Sequence, residues 1–241
     1  MFGTPSDLDI LAIAAHRDDV EQTCGGTLLK AAQRGRRTGI LDLTQGEMGT
    51  RGTAEDRARE AADAARILGA GWRQVLDIPD GRVENTWENR LKVASVIRQT
   101  RPRVVILPYW KGRHPDHYTC SVLGYEACFL AGLAKLDLHS TPHRPFKIIY
   151  ATLYYDVRPT FVVDISEQFE LKFASILAYK SQFSDQEAGK DLFPVHAEIR
   201  ARVDAMARYY GMLGGVTYGE PFLQKEVGLV DDLLAIPVKS I

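Results

Sequence analysis

Cysteine is scarce in this chain. The three that occur, Cys24, Cys120 and Cys128, form no CxxC or other closely spaced pair, which argues against a disulfide framework and against a thiolate metal cluster. Long apolar runs are lacking too. Ile10–Ala15 is far too short to span a bilayer, and no Lys or Arg precedes it to make a signal peptide. A cytoplasmic protein with no membrane partner is expected. Charge of one sign is also missing: 30 Lys and Arg nearly cancel 31 Asp and Glu, so nothing points to nucleic acid or a membrane surface. There is no internal repeat and no low-complexity segment.

What remains is an ordinary globular composition. Over 241 residues, 45% hydrophobic and 25% charged, the chain has enough apolar material for one core, and a single domain over residues 1–241 is expected. Leu8–Ala15 reads as a buried strand, followed by a helix from about Val20 to Arg34 with Gly35 as its stop. The unit then repeats. Strands are expected at Thr38–Leu43, Val75–Ile78 and Arg103–Pro108, and helices at Ala54–Leu68 and Trp87–Thr100. Alternation of this kind predicts an α/β fold, a mostly parallel sheet with helices on both faces joined by right-handed crossovers. Past the polar connection Asp137–Pro145, strands at Lys147–Leu153 and Thr160–Ile165 and helices at Glu167–Tyr179 and Ala197–Tyr210 complete the sheet edge and its cover.

Two segments carry chemistry, and each follows a predicted strand. His16-Arg17-Asp18-Asp19 offers one imidazole and two carboxylates at a strand-to-helix turn. Two of these groups can bind a metal while the third stands beside the water that such a metal activates, as general base. His114-Pro115-Asp116-His117 adds two imidazoles. Pro115 suits a first helical turn, and residues three apart share a helix face. One imidazole can bind metal and the other polarise a substrate carbonyl, with Asp116 available to fix a tautomer. The bland alternative is a helix cap or a surface residue at each position. It fits a lone cluster better than two that a parallel sheet delivers to one crevice.

The segments AHRDDVEQTCGGTLLK, DLTQGEMGTRGTAEDRAREAADAARILGA, GRHPDH and SQFSDQ, in that order, resemble the PIG-L/LmbE-like family of zinc N-deacetylases. Within that family they are most similar to the N-acetylglucosaminyl-malate deacetylases of bacillithiol synthesis. The resemblance implies a Rossmann-like single domain with one zinc ion on His16, Asp19 and His117, although the same donors would accept Fe2+ or another divalent ion. It further implies Asp18 as general base, His114 as stabiliser of the tetrahedral intermediate, and Arg57 near the substrate, an N-acetylated sugar. Homo-oligomers occur among such proteins. The fold carries no nucleotide here, since the first strand leads into AHRDD and not G-x-G-x-x-G.

Arg17 stands where that family most often has proline. Arg51 and Arg113 flank the motifs and could bind substrate anions or simply face solvent. Arg57 could bind a carboxylate or pair with Glu60 or Asp56. Cys24 reads as a small core residue, and His139, His143 and His196 belong to no cluster. A deacetylase for another N-acylated sugar or thiol conjugate, or a metal-containing binding protein without turnover, would share much of this pattern.

Overall fold

Residues that face the core from both sides of a sheet make uninterrupted apolar strands, and the first strand, β1 (Ile10–Ala14), shows how. Its odd positions Leu11 and Ile13 join one core cluster with Leu41, Val105 and Leu107, while Ala12 and Ala14 join the opposite cluster with Ile40, Ile106 and Ile149. The computed structural model describes residues 7–153, 155–184 and 196–238. The further elements are α1 (Asp19–Thr23), α2 (Gly25–Gln33), β2 (Thr38–Asp42), α3 (Ala54–Ile67), β3 (Trp72–Val75), α4 (Trp87–Thr100), β4 (Val104–Pro108) and α5 (Pro115–Ala131). They continue with β5 (Lys147–Ala151), β6 (Phe161–Asp164), α6 (Phe169–Leu177), α7 (Lys180–Phe183), α8 (His196–Gly214), β7 (Gly219–Leu223) and a 3₁₀ turn at Leu233–Ala235.

The seven strands lie in the order β3-β2-β1-β4-β5-β7-β6, with the first five parallel and β7 antiparallel to both its neighbours. This is the single α/β layer structure that the alternating pattern predicts. Strand order reverses between β1 and β4, which pair from Ile10↔Val104 to Ala12↔Ile106. The crevice of such a sheet opens at that reversal, beyond the carboxyl ends of the two strands. The two segments that leave these ends are HRDD and HPDH.

Three elements differ from expectation, each for a local reason. The first helix breaks at Cys24, φ −135°, into α1 and α2. Glu220 caps the restart, accepting the backbone N–H groups of Gly26 at 2.9 Å and Thr27 at 2.7 Å. Gly26 has to be glycine there, since a Cβ would come 2.9 Å from the Ile165 side chain. The third strand runs earlier than expected, over Trp72–Val75, because Arg73 interrupts its apolar pattern. That guanidinium is buried against Asp42 at 2.8 Å and Glu21 at 2.6 Å. Strand β7 departs from the apolar pattern of the other strands. Pro221 normally disqualifies an inner strand, but β5 pairs only with Phe222 and Leu223, so Pro221 lies where that ladder has ended.

Candidate metal and catalytic site

His16 leaves β1 directly, and its two ring nitrogens face different partners. On one side, His16 Nδ1 lies 3.2 Å from His117 Nε2 and 3.4 Å from Asp19 Oδ2, and the last two are 3.2 Å apart. A tetrahedral ion with bonds of about 2.0–2.1 Å spaces its ligand atoms roughly 3.3–3.4 Å apart. The three donors therefore have the spacing and the chemistry of a divalent metal site. On the other side, His16 Nε2 faces Asp80 Oδ1 at 3.1 Å and Asp116 Oδ2 at 3.3 Å. Those carboxylates also accept backbone N–H groups, Asp116 from Gly81 and Val83 and Asp80 from Met48. They are built to receive N–H donors, and a neutral His16 that donates to them from Nε2 leaves Nδ1 as the ring's acceptor, beside Asp19 and His117.

Electrostatics agrees with this division. Burial opposes a charge on His16, yet Asp19, Asp116 and Asp80 together push its pKa up to about 12. Burial opposes a charge on His117 as well, and Asp19 raises its pKa nonetheless. The carboxylate of Asp19 is held well below its usual range by the two imidazoles, against the cost of burial. The site thus calls for positive charge at one point. Two protonated imidazoles can supply it, and so can a divalent ion on neutral ones.

Asp18 stands beside the three donors in an unusual backbone state, φ 105°. A non-glycine residue in that region is strained, and such strain persists where surrounding contacts fix it. The contact here is Arg57, whose Nη2 donates to the Arg17 carbonyl and to Asp18 Oδ1, the latter at 3.0 Å. Gly46, φ 73°, gives the guanidinium its room, since any Cβ there would collide with it. Burial raises the Asp18 pKa to about 7 even though Arg57 pulls it down. That value suits a proton acceptor working near neutral pH.

His114 caps α5, accepting the Asp116 N–H on Nδ1 at 3.2 Å, with Pro115 in the first turn. Its ring stacks on His117, centroids 4.9 Å apart. Burial, with His16 and His117 as neighbours, lowers its pKa. An Nδ1 that accepts leaves the ring proton on Nε2, from which His114 can donate.

His16, Asp18, Asp19, Arg57, Asp80, Arg113, His114 and His117 line one cavity of about 590 Å³. Its farther wall comes from α8, through Ile199, Val203, Met206 and Tyr210. Arg51 is not part of this lining. It is buried, and its Nη1 donates to the carbonyls of Gln182 at 3.1 Å and Ser184 at 3.4 Å, tying α7 to the loop before α3. Arg57 pairs with neither Glu60, which binds Ser181, nor Asp56, which caps α3 through Thr53. Arg17 is buried and donates to the Ala54 carbonyl at 2.8 Å, so it braces α3 where a proline would have stiffened the loop.

Cys24, Cys120 and Cys128 are buried thiols. His139 is exposed and His143 binds the Pro102 carbonyl. The side chain of His196, and Asp185 and Gln186 of the SQFSDQ segment, lie outside the described residues. The sequence reading missed Asp80. A single Asp in a turn carries no signal alone, but its place beyond the carboxyl end of β3, on the edge of the same crevice, would have marked it.

Comparison with known proteins finds relatives of this chain and of its fold. The family described as PIG-L, GlcNAc-PI de-N-acetylase, matches residues 11–128. The diacetylchitobiose deacetylase of Thermococcus kodakarensis is 32% identical over 231 residues, covering 88% of this chain and 80% of that protein. Among solved structures, the conserved protein TT1542 from Thermus thermophilus superposes with TM-score 0.84 at 42% identity, over 93% of this chain and 98% of the other. The N,N'-diacetylchitobiose deacetylase from Pyrococcus horikoshii superposes with TM-score 0.79 at 28% identity, over 92% and 86% of the two chains. This chain belongs to the PIG-L family of de-N-acetylases.

Proposed function

We propose that the protein is a metal-dependent hydrolase that removes the acetyl group from an N-acetylglucosaminide, with a zinc ion held by His16, Asp19 and His117. The observation that carries this reading is the triangle of His16 Nδ1, Asp19 Oδ2 and His117 Nε2, 3.2–3.4 Å on each side, with Asp18 and His114 beside it. A bound divalent ion supplies Lewis acidity to the water and the amide carbonyl. Asp18 takes the proton of the attacking water, and Arg57 keeps its carboxylate oriented and ionisable. His114 donates from Nε2 to the oxyanion that develops on the carbonyl oxygen, its Nδ1 being fixed by the Asp116 N–H. Asp18 then returns its proton to the leaving nitrogen as the C–N bond breaks, giving acetate and a free amino sugar.

For the aglycone we favour malate, as in bacillithiol synthesis, with Arg113 at the cavity lining as the carboxylate partner. One observation favours a second reading. The cavity of about 590 Å³ extends to Ile199, Val203, Met206 and Tyr210 of α8, which supports room for a second sugar ring. A panel separates the two: acetate release from N-acetylglucosamine, N-acetylglucosaminyl-malate and diacetylchitobiose, with and without chelator. Highest kcat/KM on the malate conjugate, abolished by chelator, is expected. Faster turnover of diacetylchitobiose would replace the malate reading, and turnover that survives the chelator would end the metal reading.

A further inference from the structure

Against the metal donors lies a second, far smaller cavity of about 20 Å³. It follows from the way three strands end. β1 and β5 flank β4 and finish in Ala14 and Ala151, on the sheet face that also carries Ile106. Two short side chains leave a space there that Val20 of α1 and Cys24 after it, packed in the same core cluster, do not fill. Asp19, Thr23, His117 and Leu153 line this space and the large cavity alike, so the two cavities meet at the metal donors. We propose that the small cavity receives the methyl of the acetyl group and so sets the length of acyl chain that is removed, an inference that rests on the deacetylase reading above.

Size and polarity decide what can enter. Roughly 10–15 Å³ of such space holds one water-sized group, and a methyl is of that size, so about 20 Å³ takes one and not two. The side chains from the sheet and α1 are apolar. Burial pushes the Cys24 thiol up and keeps it protonated, and the Thr23 hydroxyl donates to the Asp19 carbonyl at 2.8 Å. A space of this kind holds water poorly and gains from an apolar group. Amide geometry supplies the direction. The carbonyl carbon carries three groups in one plane: its oxygen meets the ion and His114, its nitrogen leads to the sugar in the large cavity, and its methyl takes the third direction, into the small one.

The experiment follows release of free amine by the metal-loaded full chain from the N-formyl, N-acetyl and N-propionyl forms of glucosamine and of glucosaminyl-malate. Wild type is expected to turn over the propionyl forms with kcat/KM lower than the acetyl forms by roughly 10–200-fold, the scale of one methylene in a closed apolar pocket. Ile106→Val removes one methyl from the wall and should raise the propionyl-to-acetyl ratio of kcat/KM about 10-fold. Gly112, which also lines the small cavity, can take a Cβ that stands 3.5 Å from the His117 Cβ, an ordinary contact. Gly112→Ala should therefore raise the formyl-to-acetyl ratio about 10-fold with metal content unchanged. If circular dichroism shows that Gly112→Ala does not fold, Ala151→Val replaces it. Acetyl release with either variant's ratio at its wild-type value overturns the proposal alone, as does a wild type that removes propionyl as fast as acetyl. Amine release from none of the substrates overturns the deacetylase reading, and this inference with it.

Discussion

Replacing Arg57 by Gln should move the acid limb of the pH–rate profile, and not simply lower the rate. The guanidinium lies 3.0 Å from Asp18 Oδ1 and pulls down a pKa that burial has raised to about 7. A nearby cation of this kind lowers a carboxylate by about 1–3 units, so its loss should raise Asp18 by a similar amount. The sign follows from the base being active when ionised. Activity is present above the Asp18 pKa and is lost as pH falls through it, so a higher pKa removes activity first near neutrality. At pH 7 the ionised fraction would drop from about one half to roughly one in ten for a shift of about one unit, or roughly one in a hundred for about two. kcat/KM at pH 7 should fall roughly 5- to 50-fold and recover most of the loss by about pH 9–10. The assay is acetate release against pH at fixed metal loading, with thermal unfolding to confirm that the variant is folded. A uniform loss at every pH, with the midpoint unmoved, would refute the reasoning and assign Arg57 to substrate binding.

Asp18→Asn keeps the shape of the base and removes its basicity, so turnover should fall by roughly 10²–10⁴ while metal content, measured by elemental analysis, stays at wild-type level. Asp80→Asn or Asp116→Asn disturbs the partner of His16 Nε2, and competition with a chelator should show metal affinity weakened by about 10–100-fold in each. Glu220→Gln leaves Lys172 buried without its charge partner, now 2.5 Å away. Both side chains are almost fully buried, and the variant should lose about 3–5 kcal/mol in denaturant unfolding, with part regained on adding Lys172→Met. Arg113→Ala should lower kcat/KM for the malate conjugate far more than for N-acetylglucosamine, because only the former has carboxylates to lose.

The alternation of apolar strands and amphipathic helices made the parallel half of the sheet legible, since strands buried on both faces, such as Val104–Leu107, read as unbroken apolar runs. The placing of HRDD and HPDH after β1 and β4 was legible for the same reason: it needs only strand order and direction. What the sequence hid depends on partners far along the chain. Arg73 disguised β3 because a charge inside a strand is tolerable only with Asp42 and Glu21 around it. Pro221 disguised β7 until its register against β5 was known. The hold of Arg57 on Asp18 could not be read either, since local spacing offered Glu60 and Asp56 as nearer partners and both are engaged elsewhere. The lowered pKa of His114 follows from burial and two imidazole neighbours, and its accepting Nδ1 from a backbone cap, none of which spacing alone specifies.

The central claim is that a divalent ion sits on the Nδ1 side of His16 and not on the Nε2 side, where Asp80 and Asp116 form a second cluster of donors. Anomalous diffraction from crystals grown with one zinc equivalent per chain tests this directly. The account predicts a single strong peak bonded to His16 Nδ1, Asp19 Oδ2 and His117 Nε2, with Asp80 and Asp116 still accepting from His16 Nε2. A peak between His16 Nε2 and the Asp80 and Asp116 carboxylates would contradict it, and with it the roles given to Asp18 and His114.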